Sequence, residues 1–251
     1  MRALRTVRVT RYVTPLREGG SLPAIVEADD DGLYVLKFRG AGQGARALIA
    51  ELVSGEIART LDLPVPEIVL AELDADLART EPDPEISALI RASGGLNLAL
   101  DYLPGAVTFD PVIETPAPEL ASRIVWFDAC VTNVDRTIRN TNMLMWHRRL
   151  WLIDHGATLY VHHSPGWPAS DRARDPFPRI KEHVLLSRAS QLHDIDAAAA
   201  ARLSPEVISA IVELIPETWL EAPGLREAYR AYLVDRVKSP RLFIEEAIGG
   251  R

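Results

Sequence analysis

One stretch limits what this chain can become more than any other, residues 126–156. It opens as an apolar helical run from Trp126 to Val131, with a lone cysteine, Cys130, inside it. The run stops at Asn133-Val134-Asp135-Arg136-Thr137-Ile138-Arg139-Asn140, a loop of amides, acid and arginines. Two short apolar strands follow, joined at His147-Arg148-Arg149, and the second (Leu150-Trp151-Leu152-Ile153) ends on Asp154-His155-Gly156. A carboxylate closing an apolar strand, just before a residue that lets the backbone turn freely, is poorly explained by packing, because an unpaired charge is costly to bury. A metal ion explains it better. Magnesium takes hard oxygen ligands, typically one or two carboxylates together with the phosphates of a nucleotide. Asp135, Asn140 and Asp154 together supply a base, an amide ligand and a carboxylate ligand, the parts that phosphoryl transfer requires.

The front half offers the matching cation. Lysine is scarce here, with only Lys37, Lys181 and Lys238 against a background of arginine. Lys37 lies inside Leu33-Tyr34-Val35-Leu36-Lys37-Phe38, an apolar strand pattern. Alternation alone permits an outward-facing, solvated lysine. Glu51, in the next helical segment (Ala45–Leu61), has small or apolar helical neighbours in Ala47, Leu48, Gly55 and Ala58, so its face is not obviously wet. Glu56, with Arg59 one turn on, reads instead as a surface pair. A strand lysine held by a glutamate of the following helix aims an ammonium at phosphates. Upstream, Gly19-Gly20-Ser21 joins the first two strands and can cover phosphates with backbone N–H groups, although most such pairs are simple turns. Arg136 and Arg139 are candidates for neutralising phosphate charge or for plain solvated arginines, while His155, His162, His163 and His183 show no ligand spacing and read as structural.

Around these residues the pattern is strands first and helices later. Val7–Val13 alternates, and Asp29-Asp30-Asp31-Gly32 separates two β-rich runs as a hairpin turn does. Further strands fall at 68–73 and 96–103; Pro104-Gly105 stops the latter, and the junction belongs there. Helices are expected at 119–131, 179–190, 195–203, 205–214 and 226–237, with Ser204-Pro205-Glu206 a clean start; Ser164–Pro178 reads as loop. The order predicts an α+β protein of two parts, residues 1–104 as a small antiparallel sheet with one helix and 105–251 as mainly helical. A formal charge of −7 argues against general affinity for nucleic acid, whose phosphates demand concentrated cations. No apolar run is long enough to span a bilayer and the start lacks a secretory core, so a cytoplasmic protein is expected.

These pieces, in this order, resemble the HipA-like kinase family, within the protein-kinase-like superfamily. The residues carrying the likeness are Tyr34-Val35-Leu36-Lys37-Phe38, the run from Glu51 to Leu61-Asp62-Leu63-Pro64-Val65-Pro66, Asp135 with Asn140, and Asp154-His155-Gly156. Gly19-Gly20-Ser21-Leu22-Pro23 is similar to a compact actinobacterial-type branch. The resemblance implies a two-lobed protein-kinase-like fold, with a small antiparallel-sheet N-lobe, a mainly helical C-lobe and ATP in the cleft between. It implies Lys37 on the nucleotide phosphates, Glu51 holding it, Asp135 as the catalytic aspartate, and Asn140 and Asp154 on Mg²⁺. Asp101-Tyr102-Leu103 becomes the hinge whose backbone meets the adenine. The implied acceptor is a Ser or Thr hydroxyl of a protein; a small-molecule hydroxyl, or nucleotide binding without transfer, are the alternatives. Asn133-Val134 stands where conventional protein kinases have His-Arg, His155 stands where they have Phe, and the chain is shorter than full-length HipA toxins.

Overall fold

The computed structural model describes residues 3–16, 22–169 and 172–251, so Gly19, Gly20 and Ser21 lie outside the described residues. Strands β1 (Thr6–Pro15), β2 (Ala24–Ala28), β3 (Leu33–Lys37), β4 (Ile68–Leu73) and β5 (Gly95–Asp101) close into a barrel in the order β1-β2-β3-β5-β4. The antiparallel sheet expected from the sequence is therefore corrected in one respect. β1 and β4 pair in parallel, Thr6 opposite Leu70 and Arg8 opposite Glu72, and this pairing shuts the barrel. Closure removes the two edges that an open sheet would leave unpaired. Two register breaks in the β1–β2 ladder, beside Val9 and Tyr12, supply bends. At the β2–β3 turn Asp31 takes the left-handed conformation (φ 60°), and a Cβ on Gly32 would sit 2.7 Å from the Tyr34 ring.

Helix α1 (Ala45–Thr60) is buried on every side from Leu48 to Ala58, because it lies between the barrel and the helical remainder. Glu56 is buried as well and only 3.6 Å from Arg59, so it is not the surface pair expected; burial pushes its pKa up. Gly55 permits close contact with β4, since a Cβ there would meet Ile68 Cδ1 at 2.4 Å. Beyond α2 (Pro84–Ala92) and the short β6 (Val107–Thr108) comes α3 (Pro118–Cys130), in which every residue from Ile124 onward is buried. Cys130 is a core thiol, pushed up to about 12 by burial. The buried Arg236 guanidinium donates to the carbonyls of Ala129 and Cys130 at 3.0 and 3.1 Å, closing α3 with a cation where helix carbonyls lack partners.

Strands β7 (Met143–Trp146) and β8 (Arg149–Leu152) form the anticipated hairpin, whose two turn residues His147 and Arg148 both have positive φ (47° and 59°), as a tight right-twisting hairpin requires. The end of the chain is α4 (Leu192–Arg202), α5 (Pro205–Val212), α6 (Leu225–Val237) and α7 (Leu242–Gly249). The helix expected over 179–190 is instead two short 3₁₀ turns, Pro178–Glu182 and Leu186–Arg188, separated by a bridge from His183 to Thr137. Two cores result: one inside the barrel, and a larger one that α1 shares with α3, β7, β8 and the later helices. No described helix is long and apolar enough to cross a membrane.

Candidate active site

Alternation along β3 sends Tyr34 and Leu36 into the barrel and Val35 and Lys37 out of it. Outward, at Lys37, means toward α1 rather than toward water, so the side chain is only 12% exposed. Its Nζ donates to Asp154 Oδ1 at 2.7 Å and lies 3.5 Å from Glu51 Oε2. Burial alone would lower the Lys37 pKa, but the carboxylates of Glu51 and Asp154 outweigh it and raise it, so the ammonium stays charged. Glu51 is almost fully buried; burial opposes its ionisation, yet Lys37 and His155 hold its pKa below the usual carboxylate range. His155 Nδ1 lies 3.3 Å from Glu51 Oε1, and the ring packs edge-on against Phe127 with centroids 5.6 Å apart. An ionised carboxylate can only accept, which places the imidazole proton on Nδ1.

Asp154 is held at φ 57°, unusual for a residue with a side chain and a form of strain that collects at functional sites. Its position is fixed from both sides. Leu152 N–H donates to Pro64 O at 2.8 Å and Ile153 N–H to Asn142 O at 3.1 Å, while Thr158 ties the following turn to α1. The Thr158 hydroxyl donates to His155 O at 2.7 Å and pairs with Ser54 Oγ at 2.6 Å, both buried. Arg46, in the first turn of α1, donates to His162 O at 2.7 Å and meets Glu221 at 2.8 Å. The helix carrying Glu51 is thereby fastened to the Asp154 turn.

The loop between α3 and β7 supplies the opposite wall. Asp135 Oδ2 accepts from Asn140 Nδ2 at 2.8 Å and Asn142 Nδ2 at 3.1 Å, while its own N–H donates to Asn133 Oδ1 at 3.0 Å. Beneath it lies a network that the sequence did not disclose. Asp128, fully buried on α3, accepts from Arg136 Nε (2.7 Å), Asn133 Nδ2 (2.7 Å) and His183 Nε2 (2.9 Å). Leu185 N–H donates to His183 Nδ1, so that ring carries its proton on Nε2. Burial alone would raise the Asp128 pKa; Arg136 and the two other donors bring it down to about 2. Arg136 is thus neither a phosphate contact nor a solvated arginine. It is 1% exposed, and it also donates to Asn142 O. Arg139 remains exposed at the loop's outer edge.

Lys37, Glu51, Asp135, Asn140 and Asp154 line one cleft of about 450 Å³. Ala41, Gly42 and Gln43, from the connection between β3 and α1, line it too. Gly40, Gly42 and Gly44, directly after the lysine strand, are the sequence signal that points to that connection. A second hollow of about 580 Å³ between Thr108–Pro111 and Ile138–Leu144 meets the first at Asn140. Asp101, Tyr102 and Leu103 line neither. The N–H groups of Asp101 and Tyr102 already donate to Glu67 O and Leu33 O, which leaves Leu103 N–H as the amide of that trio without a partner among the described residues. Asn140 and Asp154 offer hard oxygens on the cleft wall, and no group of three or more His, Cys, Asp or Glu among the described residues forms a self-sufficient metal cage. That donor set suits an ion that takes much of its coordination from phosphate oxygens and water.

A family model described as HipA-like kinase matches residues 9–239. No curated protein sequence matches the chain. Among solved structures, the Helicobacter pylori proinflammatory kinase CtkA is 14% identical, with a TM-score of 0.52 over 97% of this chain and 99% of its own. The Golgi casein kinase, with Mn/ADP bound, is 12% identical, with a TM-score of 0.53 over 97% of this chain and 74% of its own. At these identities the likeness speaks for the fold, which is kinase-like.

Proposed function

The chain belongs to the HipA-like kinase family, and from that premise we propose that it transfers the γ-phosphoryl group of ATP, with Mg²⁺, to a Ser or Thr hydroxyl of a protein. One observation carries the reading: a buried ammonium, 2.7 Å from a cleft-wall carboxylate, shares a single cleft with an aspartate and an amide from another part of the chain. In this reading the barrel with α1 covers the nucleotide, residues 105–251 carry the catalytic loop, and ATP lies between them. The binding of Mn/ADP by the structurally similar Golgi casein kinase supports a nucleotide with a divalent ion in this cleft.

Each residue then has a task set by its surroundings. Lys37, kept charged by two carboxylates, docks the nucleotide phosphates. Glu51, braced by His155 Nδ1, keeps the ammonium from swinging away. Asn140 and Asp154 would hold the Mg²⁺, which when bound neutralises charge on the phosphates. Asp135 is paired with amides and no cation, so its carboxylate remains a proton acceptor for the attacking hydroxyl. As the new O–P bond forms, the bond from Pγ to the bridging oxygen breaks, that oxygen leaves on ADP, and the hydroxyl proton passes to Asp135. The Gly19-Gly20-Ser21 loop is assigned to covering the phosphates.

Asp135→Asn tests the proposal. The variant is expected to keep the thermal shift given by Mg-ATP while phosphoryl transfer falls about 10²–10⁴-fold, the usual worth of a positioned base. Wild-type protein that binds Mg-ATP yet transfers phosphate to no protein or small alcohol would instead be a nucleotide-responsive binding module.

A further inference from the structure

A third cavity, separate from the nucleotide cleft, opens directly beside the catalytic loop. It measures about 180 Å³, and Val134, Tyr160, Phe177 and Tyr232 line it together with Arg172 and Arg179. Val134 precedes Asp135, which lines the nucleotide cleft, so one loop presents consecutive residues to two different spaces. We propose that this cavity receives a large apolar side chain next to the phosphorylated residue of a protein acceptor, with an acidic residue of that acceptor reaching Arg179; the inference rests on the phosphotransfer reading above and deepens it.

Size decides against a small molecule as occupant. Sites for such ligands generally enclose roughly 300–1,000 Å³, and this one is smaller. Val134, Val161, Phe177 and the rings of Tyr160 and Tyr232 make most of the exposed wall apolar, which suits one hydrocarbon side chain stripped of water. Consecutive Cα atoms of a peptide lie about 3.8 Å apart. A chain that brings its hydroxyl to Asp135 therefore delivers a neighbouring side chain to the mouth beside Val134. The framework is rigid where it must be. Arg236 donates to Ala173 O at 3.0 Å and also to Asp175 O, and Arg172 spans Asp175 (2.9 Å) and Ser164 (2.8 Å). Those contacts commit Arg172, Asp175 and Arg236. Among the described residues Arg179 has only a loose pairing with Glu182, at 3.7 Å and half exposed, and it is the lining arginine there with room for a partner.

The test uses the full chain, Mg-ATP and a peptide library with a fixed central Ser or Thr, read by mass as phosphate incorporated. Leu, Met or Phe at one position beside the hydroxyl should be preferred over Ala about tenfold to hundredfold in kcat/KM, the worth of burying such a side chain. Tyr160→Ala, at a half-exposed position, should erode that preference, and Arg179→Glu should turn a preference for acidic flanking residues into one for basic residues. Peptides phosphorylated without side-chain preference, or with a preference that neither substitution moves, would overturn the inference and leave the kinase reading standing. Phosphate found only on small alcohols would overturn it too. Wild-type protein that transfers to nothing at all sinks this inference together with the function on which it rests.

Discussion

Asp128 ends its side chain in a fully buried site where Arg136, Asn133 and His183 all donate to it, and its pKa lies near 2. Asp135, seven residues on, faces the cleft and among the described residues its carboxylate is met only by the amides of Asn140 and Asn142. The same kind of group thus serves two purposes, one at the end of α3 and one in the loop that follows it. Paired with a guanidinium and saturated with donors, it locks backbone in place; paired with neutral amides, it is oriented but still able to take a proton. If Asp135 is the base proposed above, the contrast teaches that such a loop keeps its fixed charge one layer below its reactive one. In the proposed function Asp135 takes the hydroxyl proton, and a cation on it would compete for that place.

Stability measurements can break that contrast. Asp128→Asn leaves Arg136 buried without a counter-charge, and such a loss typically costs about 3–5 kcal/mol. Asp135→Asn keeps an amide-sized group at a half-buried position and should cost under about 0.5 kcal/mol. Urea unfolding of the two variants measures the difference. Equal costs would mean that the buried network is not what holds the loop. The comparison is sharpened by a second pair, in which Asp128→Asn and His183→Gln are combined. Both residues act on one carboxylate, so their costs should fall short of adding.

Acid gives the next largest effect. A carboxyl whose folded pKa lies below its ordinary value contributes stability above that ordinary value and loses it as pH falls through the folded one. For Asp128 the window runs from 3.8 down to about 2, and the contribution at stake is about 2 kcal/mol. Glu51 is depressed for a similar reason, by Lys37 and His155 after burial is overcome, and adds in the same direction. Stability measured between pH 5 and pH 2 should therefore fall more steeply in the wild type than in Asp128→Asn. Parallel curves would remove Asp128 from the account.

How much of this was legible beforehand depends on the kind of signal. Lys37, Glu51 and Asp154 stand out because each breaks a local pattern (a lysine in an apolar strand, a glutamate among small residues, an acid at a strand end), and Asp135 with Asn140 by their spacing ahead of the hairpin that ends on Asp154. The structure brings all five to one cleft. Asp128 interrupts the apolar run Trp126–Val131 in the same way, but no partner for it stands within that run. Every residue around it on α3 is buried, so the helix shows no polar face from which an inward acid could be told apart. Arg136 looks like any loop arginine in the sequence, because its direction is set by Asp128, a carboxylate that His183 also holds from far along the chain. Barrel closure was hidden for a related reason. The parallel pairing of β1 with β4 joins segments about sixty residues apart, and strand periodicity is the same whether or not a partner closes the ring. Short 3₁₀ turns at 178–188 mimic helical spacing over one turn, which explains the misread helix there.

The smallest predicted effect lies at the residue that connects the two carboxylates. Asn142 gives its side-chain amide to Asp135 at 3.1 Å, while its carbonyl accepts from Arg136, which is held in turn by Asp128. Its φ of 46° is one that asparagine and glycine tolerate better than other residues do, so Asn142→Gly removes the amide without straining the backbone. The carbonyl link to Arg136 survives that change. Only the last bond, from the buried layer to the reactive one, is cut. A lost hydrogen bond of this kind is worth about 0.5–1.5 kcal/mol, so kcat should fall roughly threefold to tenfold with KM for ATP unchanged. A fall in unfolding free energy larger than the fall in activation would show that Asn142 serves the buried carboxylate and not the exposed one.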